Sequence, residues 1–161
     1  MALLDSPLNK QNKLQVFLRT QKGYTIEVAP EIRLPRTFKR FSGLMAQLMT
    51  QGRIQASQQG GQTLLSVNNY PIHGLVHKDF RFVKLNTLSK GNLVEDFDQY
   101  TGLLKDKLTA FVIDLGVSES TDSNKIKLKY TDEICISNYD VSPLVVGSRV
   151  CFSYEEHWGV L

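Results

Sequence analysis

The feature that most constrains the fold is a short apolar run at residues 109–115, interrupted only by Asp114. Runs of this length without alternation are typical of strands covered on both faces, as in parallel sheets. Gly116 follows directly, and a glycine at the carboxyl end of such a strand lets the backbone approach a ligand. Residues 80–85 and 133–136 are predicted to be further strands. The pattern therefore predicts an α/β fold.

Two helices are predicted to accompany these strands. Residues 93–104 can form an amphipathic helix, with Asp98 on its solvated face. Residues 144–157 are predicted to form a closing helix, for which Ser142 can serve as the N-cap and Pro143 as the first helical residue. The inward side chains of the first helix would be Leu93, Phe97 and Tyr100.

The N-terminal half has the pattern of a hairpin. Residues 14–20 and 24–28 are predicted strands, and the glycine-containing segment 21–23 is the tight turn between them. A polar loop at residues 51–62, with room for one short strand, leads to another predicted strand at residues 63–67.

Directly after the hairpin comes the basic segment, which we define as residues 33–41; it contains four cations and two aromatic residues. Pro35 fits the first turn of a helix. If that helix continues through Met49, Arg36 and Arg40 lie four residues apart on one face, with Arg33 close by. The opposite, core-facing side would carry Phe38, Phe41, Leu44, Met45 and Leu48.

Two interpretations of these cations remain open. Guanidinium groups suit bidentate contact with phosphate, and a helix N-terminus favours anions through its dipole and free N–H groups. The alternative is a solvated basic face without a ligand. We favour the anion site because the charges are bunched rather than alternating in sign.

Composition narrows the class of protein. The chain has 161 residues, 42% of them hydrophobic, and a net charge of +3. This is the size of one domain with a proper core, and its mild basicity is compatible with RNA. No apolar run long enough to span a membrane and no signal-peptide pattern occurs. Cys135 and Cys151 are interpreted as buried thiols in a reducing compartment. His73 and His77 are interpreted as exposed loop residues, so no metal site is expected.

The region around the basic segment also resembles a known family. Residues 26–45, which read I-E-V-A-P-E-I-R-L-P-R-T-F-K-R-F-S-G-L-M, are similar to the E-V-N-P-x-x-R-I-P-R-T-F-x-R-F-x-G-L-M signature of the small-subunit rRNA pseudouridine N1-methyltransferases. These are knotted, SPOUT-type methyltransferases. Ala29 stands where the family usually has Asn.

The second half carries further likeness to this family. Residues 111–116, F-V-I-D-L-G, resemble the strand ending in V-x-x-G-A; residues 130–139 resemble Y-x-x-E-x-x-x-I-S-N-Y; and residues 155–160, E-E-H-W-G-V, resemble E-E-x-W-G-V. The resemblance implies a SPOUT-type sheet with a C-terminal trefoil knot, together with the hairpin and its arginines. It also implies an S-adenosylmethionine pocket formed by Leu85, Gly116, Ile136, Ser137, Asn138, Tyr139, Asp140 and Val141.

For partners, the resemblance implies small-subunit rRNA bound through Arg33, Arg36 and Arg40, and a homodimer that works with ribosome-assembly proteins. Neither a membrane nor a metal is implied. The place of action would be the nucleolus or nucleus in a eukaryote and the cytoplasm in an archaeon.

The chain departs from the family pattern in several ways. Asp140 replaces a proline, and a carboxylate there could repel the methionine carboxylate or meet its amino group. Residues 118–121 lack the family's second glycine. Residues 4–10 match a segment that lies well inside family members, so residues 1–161 are predicted to be a single domain truncated at its N-terminus. The family's R-P-D segment would precede Met1, which leaves the catalytic residues unknown.

Two functions follow from these observations. The first is transfer of a methyl group from S-adenosylmethionine to N1 of a pseudouridine in small-subunit rRNA, during ribosome biogenesis. The second is a non-catalytic RNA-binding assembly factor with a degenerate cofactor pocket. Without the family resemblance, the pattern supports only an α/β domain with solvated arginines.

Overall fold

A computed structural model of the chain describes residues 2–56, 61–70, 72–74, 79–89, 92–115 and 129–160. Expectations on Gly116 and on residues 118–121 fall outside these ranges, as do those on the side chains of His73 and His77. None of the helices that the model describes is long and apolar enough to cross a membrane.

The chain begins with two short helices, α1 (Ala2–Asp5) and α2 (Pro7–Lys10). Ser6 ends the first, because its Oγ donates to the Leu3 carbonyl at 2.7 Å. The same oxygen accepts from the Asn9 N–H at 3.2 Å and so caps the second. Pro7 occupies the first position of α2, where its missing N–H leaves no donor unsatisfied.

An antiparallel sheet follows, in the order β1-β2-β4-β3. Its strands are β1 (Val16–Arg19), β2 (Thr25–Val28), β3 (Arg53–Gln55) and β4 (Thr63–Asn68). The predicted hairpin is confirmed: Val16 pairs with Val28, and Arg19 with Thr25. The hairpin does not stand alone, however, because β2 also pairs with β4 and becomes an inner strand.

Helix α3 (Phe38–Gln51) packs on this sheet. The expectation that it begins at Pro35 is wrong. Pro35 fixes only its own φ, which also suits extended backbone, and Thr37 is still extended, with φ −97° and ψ 139°, so the helix begins at Phe38. Phe38 was also expected in the core but is 83% exposed, whereas Leu48 is fully buried. Gly52 ends the helix with φ +75°.

The second half forms a parallel sheet in the order β6-β8-β5-β7. Its strands are β5 (Arg81–Asn86), β6 (Asn92–Leu93), β7 (Thr109–Ile113) and β8 (Asp132–Cys135). The predicted parallel strands are therefore confirmed. Within the described residues, the α/β fold consists of one antiparallel and one parallel sheet. A short 3-10 helix (Ile72–Gly74) lies in the connection between them.

Helices α4 (Phe97–Gly102) and α5 (Pro143–His157) belong to the parallel half. The Ser142 cap is confirmed, since its Oγ accepts from Val145 N. Helix α4 is shorter than the helix predicted over residues 93–104, because the Asp96 carboxylate accepts from Gln99 N at 2.9 Å and fixes the start at Phe97. Leu93, expected to point inward from that helix, lies in β6 and is exposed.

Each half has its own core. The parallel core contains Val83, Leu85, Phe97, Leu104, Ile134, Val146, Val150, Cys151 and Tyr154, together with Leu8. The antiparallel core contains Ile26, Val28, Ile32, Leu48 and Leu65, together with Leu4. The first two helices thus contribute to both cores, with Leu3 and Leu8 on the parallel core and Leu4 in the antiparallel core, and they join the two halves. Cys135 and Cys151 are buried free thiols, as predicted.

Candidate cofactor and nucleic-acid sites

The carboxyl ends of the parallel strands define one edge of the second sheet. Strand β5 ends at Asn86 and β8 at Cys135, and because these strands run parallel their following segments leave on the same side. We call this side the carboxyl edge. In α/β sheets, ligands bind in the crevice outside such an edge.

Two segments at the carboxyl edge are fastened to each other. The Asp140 Oδ1 accepts from the Ser89 N–H at 2.9 Å and from its hydroxyl at 3.1 Å. The Val141 N–H donates to the Thr87 carbonyl at 2.9 Å. Asp140 therefore holds the segment after β5 against the segment after β8. This contact gives the residue a structural role that its replacement of the family proline did not reveal.

The predicted cofactor residues differ in how deeply their side chains are buried. Leu85 is fully buried in the parallel core, so its side chain packs against neighbours there and not on an open surface. Ile136 and Val141 pack on the edge of that core. Ser137 is half-buried, and its Oγ accepts from Tyr139 N at 3.0 Å. The exposed residues are Asn138, Tyr139 and Asp140. Gly116 lies outside the described residues.

Cross-strand ion pairs line the parallel sheet. Lys84 Nζ lies 2.6 Å from Glu133 Oε1, and these residues are register partners on β5 and β8. The hydrogen bond to Glu133 raises the pKa of Lys84, and the same bond lowers the pKa of Glu133. The lysine also lies 5.8 Å from the Tyr130 ring centroid, within cation–π range.

A second cluster joins the sheet to α4. Asp132 Oδ2 accepts from Arg81 at 2.9 Å and from the Tyr100 hydroxyl at 3.1 Å. Burial, followed by this hydrogen bond, raises the pKa of Tyr100 to about 12. Neither cluster could be recognised from the sequence, because charged residues on two strands can be paired only when the strand register is known.

Polar contacts also join α4 to α5. Asp98, expected on a solvated face, accepts from Arg149 at 3.0 Å. The buried Thr101 hydroxyl contacts Ser153 Oγ and lies 3.1 Å from His157 Nε2. These contacts fix α5 against α4, and α5 itself begins two residues after Val141.

The cations of the basic segment, unlike those of the parallel sheet, are exposed and lie at the start of α3. Arg33 and Arg36 lie in the extended approach to α3, and Arg40 is the third residue of that helix. The expectation that Arg36 and Arg40 share a helical face is therefore wrong, because Arg36 precedes the helix. All three side chains are exposed. Among the described residues, no carboxylate forms an ion pair with any of them.

This arrangement can attract an anion. Lys39 adds a fourth exposed cation next to the arginines, and the N-terminus of α3 carries a positive partial charge. Thr37 provides no side-chain cap, so the first N–H groups of the helix keep their donor capacity on that side. The described residues contain no group of three or more His, Cys, Asp or Glu side chains that could hold a metal ion.

A parallel sheet with ligand-facing loops at its carboxyl edge, joined to a basic antiparallel half, defines an α/β protein suited to a nucleotide-like cofactor and a polyanion. The chain belongs to the EMG1/NEP1 methyltransferase family, whose model matches residues 1–155.

Its relatives are similar along the whole chain. It is 38% identical to the ribosomal RNA small subunit methyltransferase NEP1 of Candida glabrata, with all of this chain and 67% of the relative covered. The corresponding proteins of Drosophila melanogaster and Homo sapiens are 36% and 35% identical, again over all of this chain and over 64% and 62% of the relatives. The chain thus spans under two thirds of the length of these last two relatives.

A solved structure agrees with these relatives. The crystal structure of Archaeoglobus fulgidus Nep1 bound to S-adenosylhomocysteine matches with a TM-score of 0.74 and 29% identity, over 98% of this chain and 67% of that chain. The family resemblance carried by the basic segment is therefore confirmed.

Proposed function

We propose that this chain is the core of an S-adenosylmethionine-dependent methyltransferase that acts on N1 of a pseudouridine in small-subunit rRNA. The observation that carries the proposal is the match of the whole chain to proteins named ribosomal RNA small subunit methyltransferases. The match to a Nep1 structure bound to S-adenosylhomocysteine, the product left by methyl donation, supports the cofactor.

The residues at the carboxyl edge fit such a cofactor. The segment 136–141 is anchored on the core by Ile136 and Val141, and between them Asn138 and Tyr139 face solvent. Backbone donors and acceptors of this segment, with Tyr139 as an aromatic surface, are the groups that an adenosine moiety requires. Asp140 is committed to Ser89, so its charge is partly satisfied by two hydrogen bonds rather than left to repel a carboxylate.

Bound S-adenosylmethionine supplies an electrophilic methyl group on a sulfonium. The N1 atom of pseudouridine must lose its proton and form the new bond to carbon. The chain's contribution is to hold the base and the edge segments in a fixed geometry, and positioning of this kind can lower a barrier by roughly 7–11 kcal/mol in the best cases.

The basic segment would hold the RNA. Exposed guanidiniums without carboxylate partners are free to contact phosphates, and the three arginines lie within eight consecutive residues. We further propose the family's trefoil knot at the C-terminus and a homodimer that acts in ribosome biogenesis. The nucleolus would be its location in a eukaryote.

Calorimetry and methyl transfer test the proposal. The chain is expected to bind S-adenosylmethionine and to methylate a short RNA that contains one pseudouridine. An otherwise identical RNA with uridine should not react, because the N1 of uridine is bonded to the sugar and has no proton to lose. Equal transfer to both RNAs contradicts the N1 assignment. RNA binding without cofactor binding instead supports the non-catalytic assembly factor.

A further inference from the structure

A groove lies beside the basic segment, between the approach to α3, the helix itself and the edge of the antiparallel sheet. Its volume is about 510 Å³, within the roughly 300–1,000 Å³ of sites that take small organic ligands. Its walls are apolar and belong mostly to the flank of the antiparallel core. They are formed chiefly by Ile32, Pro35, Leu44, Ile54 and Leu64.

Three polar side chains stand at the rim of this groove. Arg33 is exposed and carries one of the unpaired guanidiniums. Gln62 donates from Nε2 to Glu31 Oε2 at 3.3 Å, so the amide and the carboxylate form a joined pair. This hydrogen bond leaves two further acceptors on the pair, namely the second carboxylate oxygen of Glu31 and the amide carbonyl of Gln62.

Such a combination matches the way proteins bind single-stranded RNA. Unstacked bases are held between apolar surfaces or against guanidinium planes and are read by hydrogen bonds to their Watson–Crick edges. Here the apolar walls and Arg33 offer the surfaces, and the Glu31–Gln62 pair offers the acceptors.

The exposed arginines around the groove also favour a single-stranded RNA ligand. Arg40 lies four residues before the groove residue Leu44, so the two lie on neighbouring positions of one face of α3. Arg36 follows the groove residue Pro35 in the chain. A base in the groove would therefore place its own sugar-phosphate backbone beside exposed cations, which is where an RNA strand gains electrostatic free energy.

From this juxtaposition we propose that the groove is a specificity pocket for one unstacked nucleobase that bears an exocyclic amino group. This inference rests on the proposed RNA-binding function. Acceptors at the rim favour the amino groups of guanine, cytosine or adenine. The Watson–Crick edge of uracil has no amino group: its single donor, N3–H, lies between two carbonyl oxygens, and the Glu31 carboxylate repels these oxygens. The groove thus reads a base, while Arg36 and Arg40 contact the strand.

The test measures binding of short fluorescent oligouridines by anisotropy, with the central base kept as uracil or replaced by cytosine or guanine. The wild-type chain is expected to bind the best replaced strand about tenfold more tightly, the range of a hydrogen bond to a charged group. Glu31→Gln should remove most of that preference, because the replaced strand loses a charged acceptor and the plain oligouridine is no longer repelled.

Two further variants make the result specific. Glu27→Gln removes another exposed carboxylate of the same sheet that does not line the groove, and it should keep the tenfold preference. Ala56→Leu partly fills the groove and should lower affinity for the replaced strand alone. Circular dichroism checks that each variant is folded.

The outcomes separate the two proposals. If no oligonucleotide binds, the RNA-binding function fails and this inference fails with it. If RNA binds with equal affinity whatever the central base, the function stands and the pocket is wrong. If Glu31→Gln acts but Ala56→Leu does not, the contact is made at the rim only and the groove does not hold the base.

Discussion

The cations of the two halves differ in their surroundings. In the parallel half, Arg81, Lys84 and Arg149 each form an ion pair with a carboxylate on another element. In the antiparallel half, the arginines of the basic segment are exposed, and no carboxylate among the described residues pairs with them. Composition separates the halves as well: residues 1–78 contain 10 Lys or Arg and 3 Asp or Glu, whereas residues 79–161 contain 9 and 13.

The difference teaches which charges belong to the fold and which are available to a ligand. A paired cation joins strands or helices, and its removal leaves a carboxylate without its partner. An unpaired cation at the surface contributes little to folding, because water already satisfies it. Its removal should therefore change binding and leave stability unchanged. The predictions below test this division, beginning with the largest expected effect.

Removing the unpaired arginines should produce the largest effect, a loss of RNA affinity. The variant with Arg33, Arg36 and Arg40 all changed to Ala is expected to lose about 3 kcal/mol of RNA binding, if each contributes about 1 kcal/mol. The slope of log affinity against log salt should fall by about 2, since each phosphate contact to a single strand contributes about 0.7. Fluorescence titrations at several salt concentrations measure both quantities. Arg149→Ala is the paired-cation control and should leave both unchanged.

Removing a shared carboxylate should instead destabilise the protein. Asp132→Ala leaves Arg81 and the Tyr100 hydroxyl without their acceptor, and should lower the free energy of unfolding by about 2 kcal/mol. Urea denaturation measures this. Since Asp132 lies far in sequence from the basic segment, RNA affinity of the folded variant should stay as in wild type. A loss of RNA affinity comparable to that of the triple arginine variant would contradict the division.

Two glycines of α3 test how the backbone of this helix, which follows the basic segment, contributes to stability. Gly52 ends α3 at φ +75°, a region that alanine adopts at a cost, so Gly52→Ala should destabilise by about 1 kcal/mol. Gly43 lies within the same helix with nothing within 4 Å of an added Cβ, so Gly43→Ala should stabilise by about 0.5–1 kcal/mol. Thermal denaturation compares the pair. Effects of the same sign would show that conformation at Gly52 does not limit this helix.

The smallest effect is on alkaline stability. The folded-state pKa of Tyr100, raised to about 12, exceeds its ordinary value of 10.0. Above pH 10 the unfolded chain loses this proton more readily than the folded chain, so the free energy of unfolding should fall between pH 10 and pH 12. Tyr100→Phe should make this decline shallower. Because the ring is only half-buried, solvent reduces the size of the effect. Denaturation series at increasing pH measure the effect. If the free energy of unfolding falls equally steeply with pH in wild type and in Tyr100→Phe, Tyr100 is not the cause of the decline.

Much of the fold could be predicted from local pattern. The apolar runs at β7 and β8, the hairpin and the Ser142–Pro143 start of α5 were all recognisable, because each depends on neighbouring residues. The start of α3 was not, because Pro35 suits either a first helical turn or an extended approach, and the chain takes the second. Pairing of β2 with β4 was also hidden, since strand order depends on contacts distant in sequence.

The candidate site, unlike the fold, was predicted from the family resemblance rather than from local pattern. The family resemblance identified the basic segment and residues 136–141 as binding sites, whereas pattern alone supported only an α/β domain with solvated arginines. Neither showed that Asp140 binds Ser89, because that contact joins loops 51 residues apart. Nor did either show that Glu31 meets Gln62 at a groove, which requires the loop after β2 to lie beside the start of β4. Such contacts follow from the tertiary fold rather than from spacing.

The short helices α1 and α2 have a consequence for how the molecule assembles. Leu8 N donates to Glu155 Oε1 at 3.0 Å across 147 positions, and the Asn9 side chain donates to the Leu4 and Pro30 carbonyls. Contacts between such distant residues close a very long loop, and their entropic cost slows their formation. We expect each sheet to acquire structure before residues 2–10 join them. The docking of this segment would then be a late step of folding, and the two halves would become one cooperative unit only when it is complete.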